Sequence, residues 1–423
     1  MLVPWWGGRL RAAGGRCAPT APTFDVLVTR VSVRHVSTAA PSLFSREFKL
    51  VVLGTWLFFA SFGASLPVLP RFVVDELGGG EIAVGFVFAV YAFAAVAVRP
   101  WIGRIGDRSG RRILVLGGAL LTAVALFGHL GATSVGLLTV VRMLAGAGQA
   151  AVVVGFSTIA LDLASSERHG EASSYVMVAV QLGMGLGPLL GELLLSAGSY
   201  PAVWLATAVG SMVAAAIALG LPKDVRSDAL RSRGLFHPAA WRPGIVLGLG
   251  VLGFIGFLAF IPLYAAELGV ARAAPLFLLG SGTIAVVRIF GAKLPDRLGA
   301  VPGASVALGF LAVGSVAIGL ANGVVVLAIG TVVMAAGVAI VAPSMVLAAV
   351  RGVPSDERAR VMATITMFLD IALAAGPALL GVAAASTGYG PTFLATGGAA
   401  ALSLLLLRRW LAPRLAAHQP VSG

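Results

Sequence analysis

The sequence predicts an all-α membrane protein of about twelve transmembrane helices, arranged as two pseudo-symmetric six-helix bundles. Three observations carry that expectation. Hydrophobic residues fill 58% of the 423 positions and charged residues only 11%, where a soluble domain carries roughly 25% charge. The apolar residues run in blocks that approach the roughly 20 residues a spanning helix needs. The two halves also repeat one another at an offset of 189 positions. Unpaired backbone groups in hydrocarbon cost several kcal/mol each, so only helices or closed barrels span a bilayer. Continuous blocks, unlike alternating ones, select helices.

Six blocks precede a polar centre: Leu50–Val68, Ile82–Trp101, Ile113–Leu130, Val135–Ala160, Ser174–Leu195 and Ala202–Leu221. Six follow it: Gly244–Tyr264, Pro275–Lys293, Gly303–Leu320, Val324–Met345, Val361–Ala384 and Pro391–Leu407. The implied organisation is a basic extension over 1–45, a first bundle over 46–221, a linker over 222–242, a second bundle over 243–409 and a tail over 410–423. The extension holds Arg9, Arg11, Arg16, Arg30 and Arg34 and almost no acid. Its composition permits a transit peptide, but it reads better as disordered chain or a start codon placed too far upstream. The single cysteine, Cys17, leaves no intrachain disulfide to form.

The basic residues set the orientation. Arg104, Arg108, Arg111, Arg112, Arg168, Lys223, Arg226, Arg242, Arg297, Arg351, Arg358, Arg408 and Arg409 fall in or beside loops on one side. The other side carries Arg71 and Arg272 among Asp75, Glu76, Glu81 and Glu267. An arginine-rich side is cytoplasmic, so both termini and the linker are expected inside a plasma or inner membrane. The formal charge of +13 is then topological, spread through thin loops, and no nucleic-acid partner is expected.

The repeat is more than apolar coincidence. The shift lays Arg99 on Arg288, Asp107 on Asp296, Gly110 on Gly299, Gly187-Pro188 on Gly376-Pro377 and Tyr200 on Tyr389. Duplicated helical units of this kind place a solute site where the repeats meet, near the bilayer midplane.

Three segments then make a specific resemblance. Gly103-Arg104-Ile105-Gly106-Asp107-Arg108-Ser109-Gly110-Arg111-Arg112 lies between the second and third blocks. Arg142-Met143-Leu144-Ala145-Gly146-Ala147-Gly148-Gln149 lies in the fourth. Gly183-Met184-Gly185-Leu186-Gly187-Pro188-Leu189-Leu190-Gly191-Glu192 lies in the fifth. Together they resemble the major facilitator superfamily, and within it the twelve-helix drug:proton antiporters, over roughly Leu50 to Leu407. In that family the first segment latches the two halves in the outward-facing state against the start of the eleventh helix. The resemblance assigns that role to Gly103, Asp107, Arg108, Gly110, Arg111 and Arg112. Asp107 would face a helix N-terminus; Gly103 and Gly110 would permit close approach and a tight turn. The second copy, around Asp296, lacks the trailing arginines.

Candidate site residues follow from charge within apolar blocks. Arg142, Gly146 and Gln149 share a helical face, and an intramembrane arginine costs at least about 2.5 kcal/mol unless a cavity or partner receives it. Asp370 lies six residues before Gly376-Pro377, where the first half has Gln181 before Gly187-Pro188. Desolvation disfavours a charged carboxylate, which makes Asp370 a candidate proton carrier. Glu192, which replaces the last glycine of the fifth-block signature, is a second candidate. Gly183, Gly187, Pro188, Gly191, Gly376 and Pro377 read as packing and kink positions. Arg99 and Arg288 read as snorkelling helix ends.

The expectation is therefore a secondary active exporter that exchanges a small, amphipathic or cationic molecule for protons by alternating access. Its central cavity would be lined by Arg142, Gln149, Gln181 and Asp370. The alternatives are an uptake symporter or facilitator for a metabolite, with Arg142 on an anionic group, and a non-transporting sensor in the same fold. No His-Glu-x-x-His, Gly-x-Ser-x-Gly or Gly-x-x-x-x-Gly-Lys pattern occurs. No enzyme activity, cofactor or metal is expected, and the partners are a small molecule, protons and the lipid bilayer around a monomer.

Overall fold

The computed structural model describes residues 43–165, 168–222, 237–291, 298–351, 353–354 and 357–411. The extension before residue 43, most of the linker, the second loop copy around Asp296 and the tail beyond residue 411 lie outside them. Fifteen α-helices make up the described chain. In order they are α1 Arg46–Ser65, α2 Val68–Asp75, α3 Glu81–Ala97, α4 Arg99–Ser109 and α5 Arg111–Gly128. Next come α6 Val135–Asp162, α7 His169–Ala197, α8 Tyr200–Ala218, α9 Trp241–Gly250 and α10 Leu252–Glu267. The last five are α11 Ala274–Phe290, α12 Ala300–Gly319, α13 Val324–Val350, α14 Arg358–Thr387 and α15 Tyr389–Trp410.

Ten helical stretches are long and apolar enough to cross a bilayer, and the bent pair α3–α4 makes an eleventh. The twelfth position is α11, apolar but only 17 residues long. Two expected spans are broken. The first divides at Leu66–Pro67 into α1 and α2, and the seventh divides at Val251 into α9 and α10. The second turns by 42° between α3 and α4, where Pro100 opens the new helix. Proline has no N–H to give an interior turn but is at home in a first one.

Helix starts follow local chemistry. The Ser45 hydroxyl accepts from Phe48 N at 3.2 Å ahead of α1, and that of Ser134 accepts from Leu137 N at 3.3 Å ahead of α6. Gly110 and Gly299, equivalent in the repeat, take φ of +89° and +83° before α5 and α12. A side chain there would force a Cβ into the left-handed region.

Helices α1–α8 pack mainly on one another, as do α9–α15. Within the first group Gly183, Gly187 and Gly191 of α7 ride on the backbone of α1. A Cβ at Gly183 would lie 2.7 Å from Ala60 N, and one at Gly187 would lie 2.8 Å from Ala64 N. Gly376 holds the equivalent place in the second group, where a Cβ would meet the Ile255 side chain of α10 at 3.1 Å. Close backbone approach replaces apolar burial as the source of helix cohesion in lipid. Large apolar side chains face outward, among them Phe290 at 84% exposure and Leu379 at 67%. Such a surface belongs in hydrocarbon, not water.

Candidate functional site

The two groups meet along two antiparallel pairs, α3 with α14 and α7 with α11, and through α10 against α2 and α3. At the end of the molecule that carries Asp75, Glu81 and Glu267, here the acidic end, the backbones nearly touch. A Cβ at Gly85 would fall on the Pro377 carbonyl, and one at Gly381 would lie 2.6 Å from the Glu81 carbonyl oxygen. Tyr389 donates its hydroxyl to Glu81 Oε1 at 3.2 Å. A buried cluster that includes Leu69, Val84, Phe260 and Leu380 fills this end with side chains from both groups.

Deeper along the seam, at the bend where α3 gives way to α4, Arg99 forms a two-pronged ion pair with Asp370 of α14. Nη2 donates to Oδ1 at 2.9 Å, and Nη1 engages Oδ2. The Asp370 residue is 8% exposed, whereas the Arg99 side chain is 45% exposed. One partner sits on each bundle, so the pair spans the seam along which the bundles would separate. This corrects the snorkelling role expected for Arg99. The missed signal was in the repeat, which aligns Arg99 with Arg288 and Asp370 with Gln181 at matching depths.

Glu192 also crosses the seam. It is buried, and its Oε1 accepts from Ala273 N at 2.8 Å while Arg71 Nη2 stands 3.9 Å away. Ala273 is the N-cap residue of α11 and has no side-chain cap of its own. Glu192 therefore caps the facing helix, where an anion meets unpaired N–H groups and the positive end of the dipole. In the repeat Glu192 aligns with Gly381 and Ala274 with Gly85. One seam thus closes by glycine contact and the other by a carboxylate cap.

The expected cavity lining is not assembled as a whole. Arg142 is fully buried inside the first bundle, its guanidinium 4.2 Å from the Tyr91 ring centroid and 5.7 Å from that of Phe88. It lines a small void with Phe58, Phe62, Thr122, Leu126 and Ser211, all from that bundle. Aromatic faces receive the cation that an open cavity was expected to hydrate. Gln149 and Gln181 are half-buried.

The loop motif is tied to its own bundle. Arg111 pairs with Asp162 and donates to the Thr158 carbonyl at 3.2 Å, and Arg112 donates to the Leu221 carbonyl at 3.3 Å. Arg108 is exposed in the last turn of α4. The close approach expected at Gly103 is absent among the described residues: no neighbour beyond its own helix turn lies within 4 Å of a Cβ placed there. The Asp107 side chain lies outside the described residues.

An all-helical chain of two repeated bundles, with charged residues on the seam between them, defines a polytopic membrane transporter. The Major Facilitator Superfamily profile matches residues 51–324 and 276–422. An MFS-type transporter of Burkholderia mallei (strain SAVP1) is 30% identical over 372 residues, covering 84% of this chain and 90% of its own. The MFS-type transporter YhhS of Escherichia coli (strain K12) is 28% identical over 396 residues, covering 90% and 97%. Among solved structures, the nucleoside transporter NupG superposes with a TM-score of 0.71 at 14% identity, over 86% of this chain and 99% of that one. The human organic anion transporter MFSD10 (TETRAN) superposes with a TM-score of 0.64 at 21% identity, over the same shares. The chain belongs to the major facilitator superfamily and is a multi-pass membrane transporter of small molecules, not an enzyme.

Proposed function

We propose that this transporter is proton-coupled and works by alternating access, with Arg99–Asp370 as the coupling pair. The observation that carries the reading is the ion pair itself, because its members belong to opposite bundles. Protonating the carboxylate removes the charge that holds Arg99, so proton occupancy biases whether the seam stays closed. The acidic end, sealed by Gly85, Gly381 and Glu192, is then the extracellular gate, and the arginine-rich end is cytoplasmic. The loop around Asp107 would latch the opposite state. Export is the direction we assign, on the fifth-span glycine signature of α7.

A second reading has its own support. Once Asp370 is protonated, Arg99 is left without a counter-charge, and an anionic solute would bind together with the proton. Coupled binding of that kind suits uptake symport. Reconstituted vesicles with a trapped pH dye separate the two. Under exchange, outward solute flux draws protons inward; under symport, both move the same way. Solute flux that moves no protons would overturn both.

Orientation has a direct test. With Cys17 replaced, Gly80→Cys and Ser199→Cys should react in intact cells with a membrane-impermeant maleimide, and Ser227→Cys should react only after lysis. Labelling of Ser227→Cys in intact cells would reverse every side assignment.

A further inference from the structure

The α7–α11 seam is the repeat equivalent of the α3–α14 seam, yet it lacks the ion pair. Shifting Arg99 and Asp370 by the repeat offset gives Arg288 on α11 and Gln181 on α7. Packing supports the register. A Cβ at Gly185 would lie 2.9 Å from the Ser281 side chain, so these two residues face one another across the seam. Gln181 is one turn from Gly185, and Arg288 is two turns from Ser281, each on the same helix face as its reference residue. The helices are antiparallel, as the Glu192–Ala273 contact at their outer ends requires. Both steps therefore run away from that end, by about 6 Å on α7 and about 10.5 Å on α11, a difference that the long arginine side chain, leaning toward the start of its helix, can span.

Arg288 is half-buried, and its Nε is buried without a hydrogen-bond partner among the described residues. A guanidinium N–H removed from water and left without an acceptor is costly. Gln181 can offer one amide oxygen but no charge. Glu192 and Arg71 offset one another at the acidic end; at the depth of the two repeat-related pairs the seams hold Arg99, Asp370 and Arg288, which leaves one positive charge over there.

From this we infer that Arg288, facing Gln181 on the α7–α11 seam, binds the carboxylate of a small organic monoanion. A carboxylate meets the guanidinium fork with two parallel hydrogen bonds, and the Gln181 amide N–H can reach the same oxygens. A single surplus charge matches a monoanion; a dianion would leave a net negative charge in a desolvated seam. Cations, which the sequence alone suggested, would meet an uncompensated arginine there.

This inference rests on the transporter reading and names the substrate class for it. Binding is therefore measured without any proton gradient, so that failure of coupling leaves it standing. The full chain in detergent is titrated with benzoate, phenylacetate, indole-3-acetate and octanoate, and with the methyl ester of each, while thermal unfolding is followed. At least one carboxylate should raise the midpoint in a saturable way, and its ester should do so at least tenfold more weakly.

Gln181→Glu then supplies the missing partner, as Asp370 does for Arg99. The variant should fold as well as the parent and lose the carboxylate response at least tenfold. Arg288→Lys should keep a weakened response, since one charge remains without the fork; Arg288→Gln should lose it. Equal responses to acid and ester, no response to any acid, or an unchanged response in Gln181→Glu would each overturn the assignment. Unaltered melting of unliganded Gln181→Glu separates lost binding from lost folding.

Discussion

Asp370→Asn is expected to abolish uphill, pH-driven transport while leaving the protein folded, inserted and able to exchange solute downhill. Asparagine keeps the size of the side chain and removes its charge and its proton chemistry. Stability should survive because Arg99 keeps 45% of its side chain exposed and can turn to water. Losing one partner of a fully buried pair costs about 3–5 kcal/mol, whereas exposed pairs contribute about 1 kcal/mol or less. A pair with one member half in water lies toward the lower figure.

Arg99→Gln should uncouple transport too, by a different route. It leaves Asp370, 8% exposed, with no counter-charge across the seam, so its ionisation no longer decides whether the bundles are held together. Asp370→Glu should retain part of the activity with a displaced pH profile, because the extra methylene moves the carboxyl relative to Arg99. The readout is accumulation against a gradient, beside counterflow with no gradient. Full pH-driven accumulation by Asp370→Asn would remove the pair from the mechanism and turn attention to Glu192, the other buried carboxylate on the seam.

Much of this architecture could be read directly from the chain, for reasons that also mark where reading stops. Spans announce themselves because hydrocarbon tolerates so few polar groups, and the repeat shows because charged and Gly-Pro positions recur at one offset. The chain does not say which helix faces lie against one another across the two bundles. Arg99 therefore passed as a snorkelling end, although its true partner, Asp370, had been singled out 271 positions away. Arg142 shows the complementary limit. Periodicity put it on a face with Gly146 and Gln149, but whether that face meets a cavity or the rings of Phe88 and Tyr91 depends on tertiary packing. Glu192 stood out as a carboxylate, but its capping role was hidden for a third reason: its partner is a backbone N–H, and every residue except proline has one.

Two glycines that look alike in the sequence should fail in opposite ways. Gly187→Val places its branches against the Ala60 carbonyl and Ala64 N, between α1 and α7 of one bundle. Those helices have nowhere to part, so overpacking distorts the bundle itself and little protein should reach the membrane. Gly85→Val drives its side chain into the Pro377 carbonyl, but that contact joins two bundles that can separate as units. The closed acidic end alone is penalised, by about 3 kcal/mol, which shifts the open-to-closed ratio roughly a hundredfold. Gly85→Val should therefore be inserted and folded, with transport down at least tenfold because the gate no longer closes. A reporter cysteine at Leu380, buried in the cross-bundle cluster, should become reactive to an impermeant maleimide from the acidic side in the Gly85→Val background and stay protected in the parent. Equal loss of protein from the membrane in both variants, or normal transport by Gly85→Val, would mean that the seam at Gly85 is fixed packing and the gate lies elsewhere.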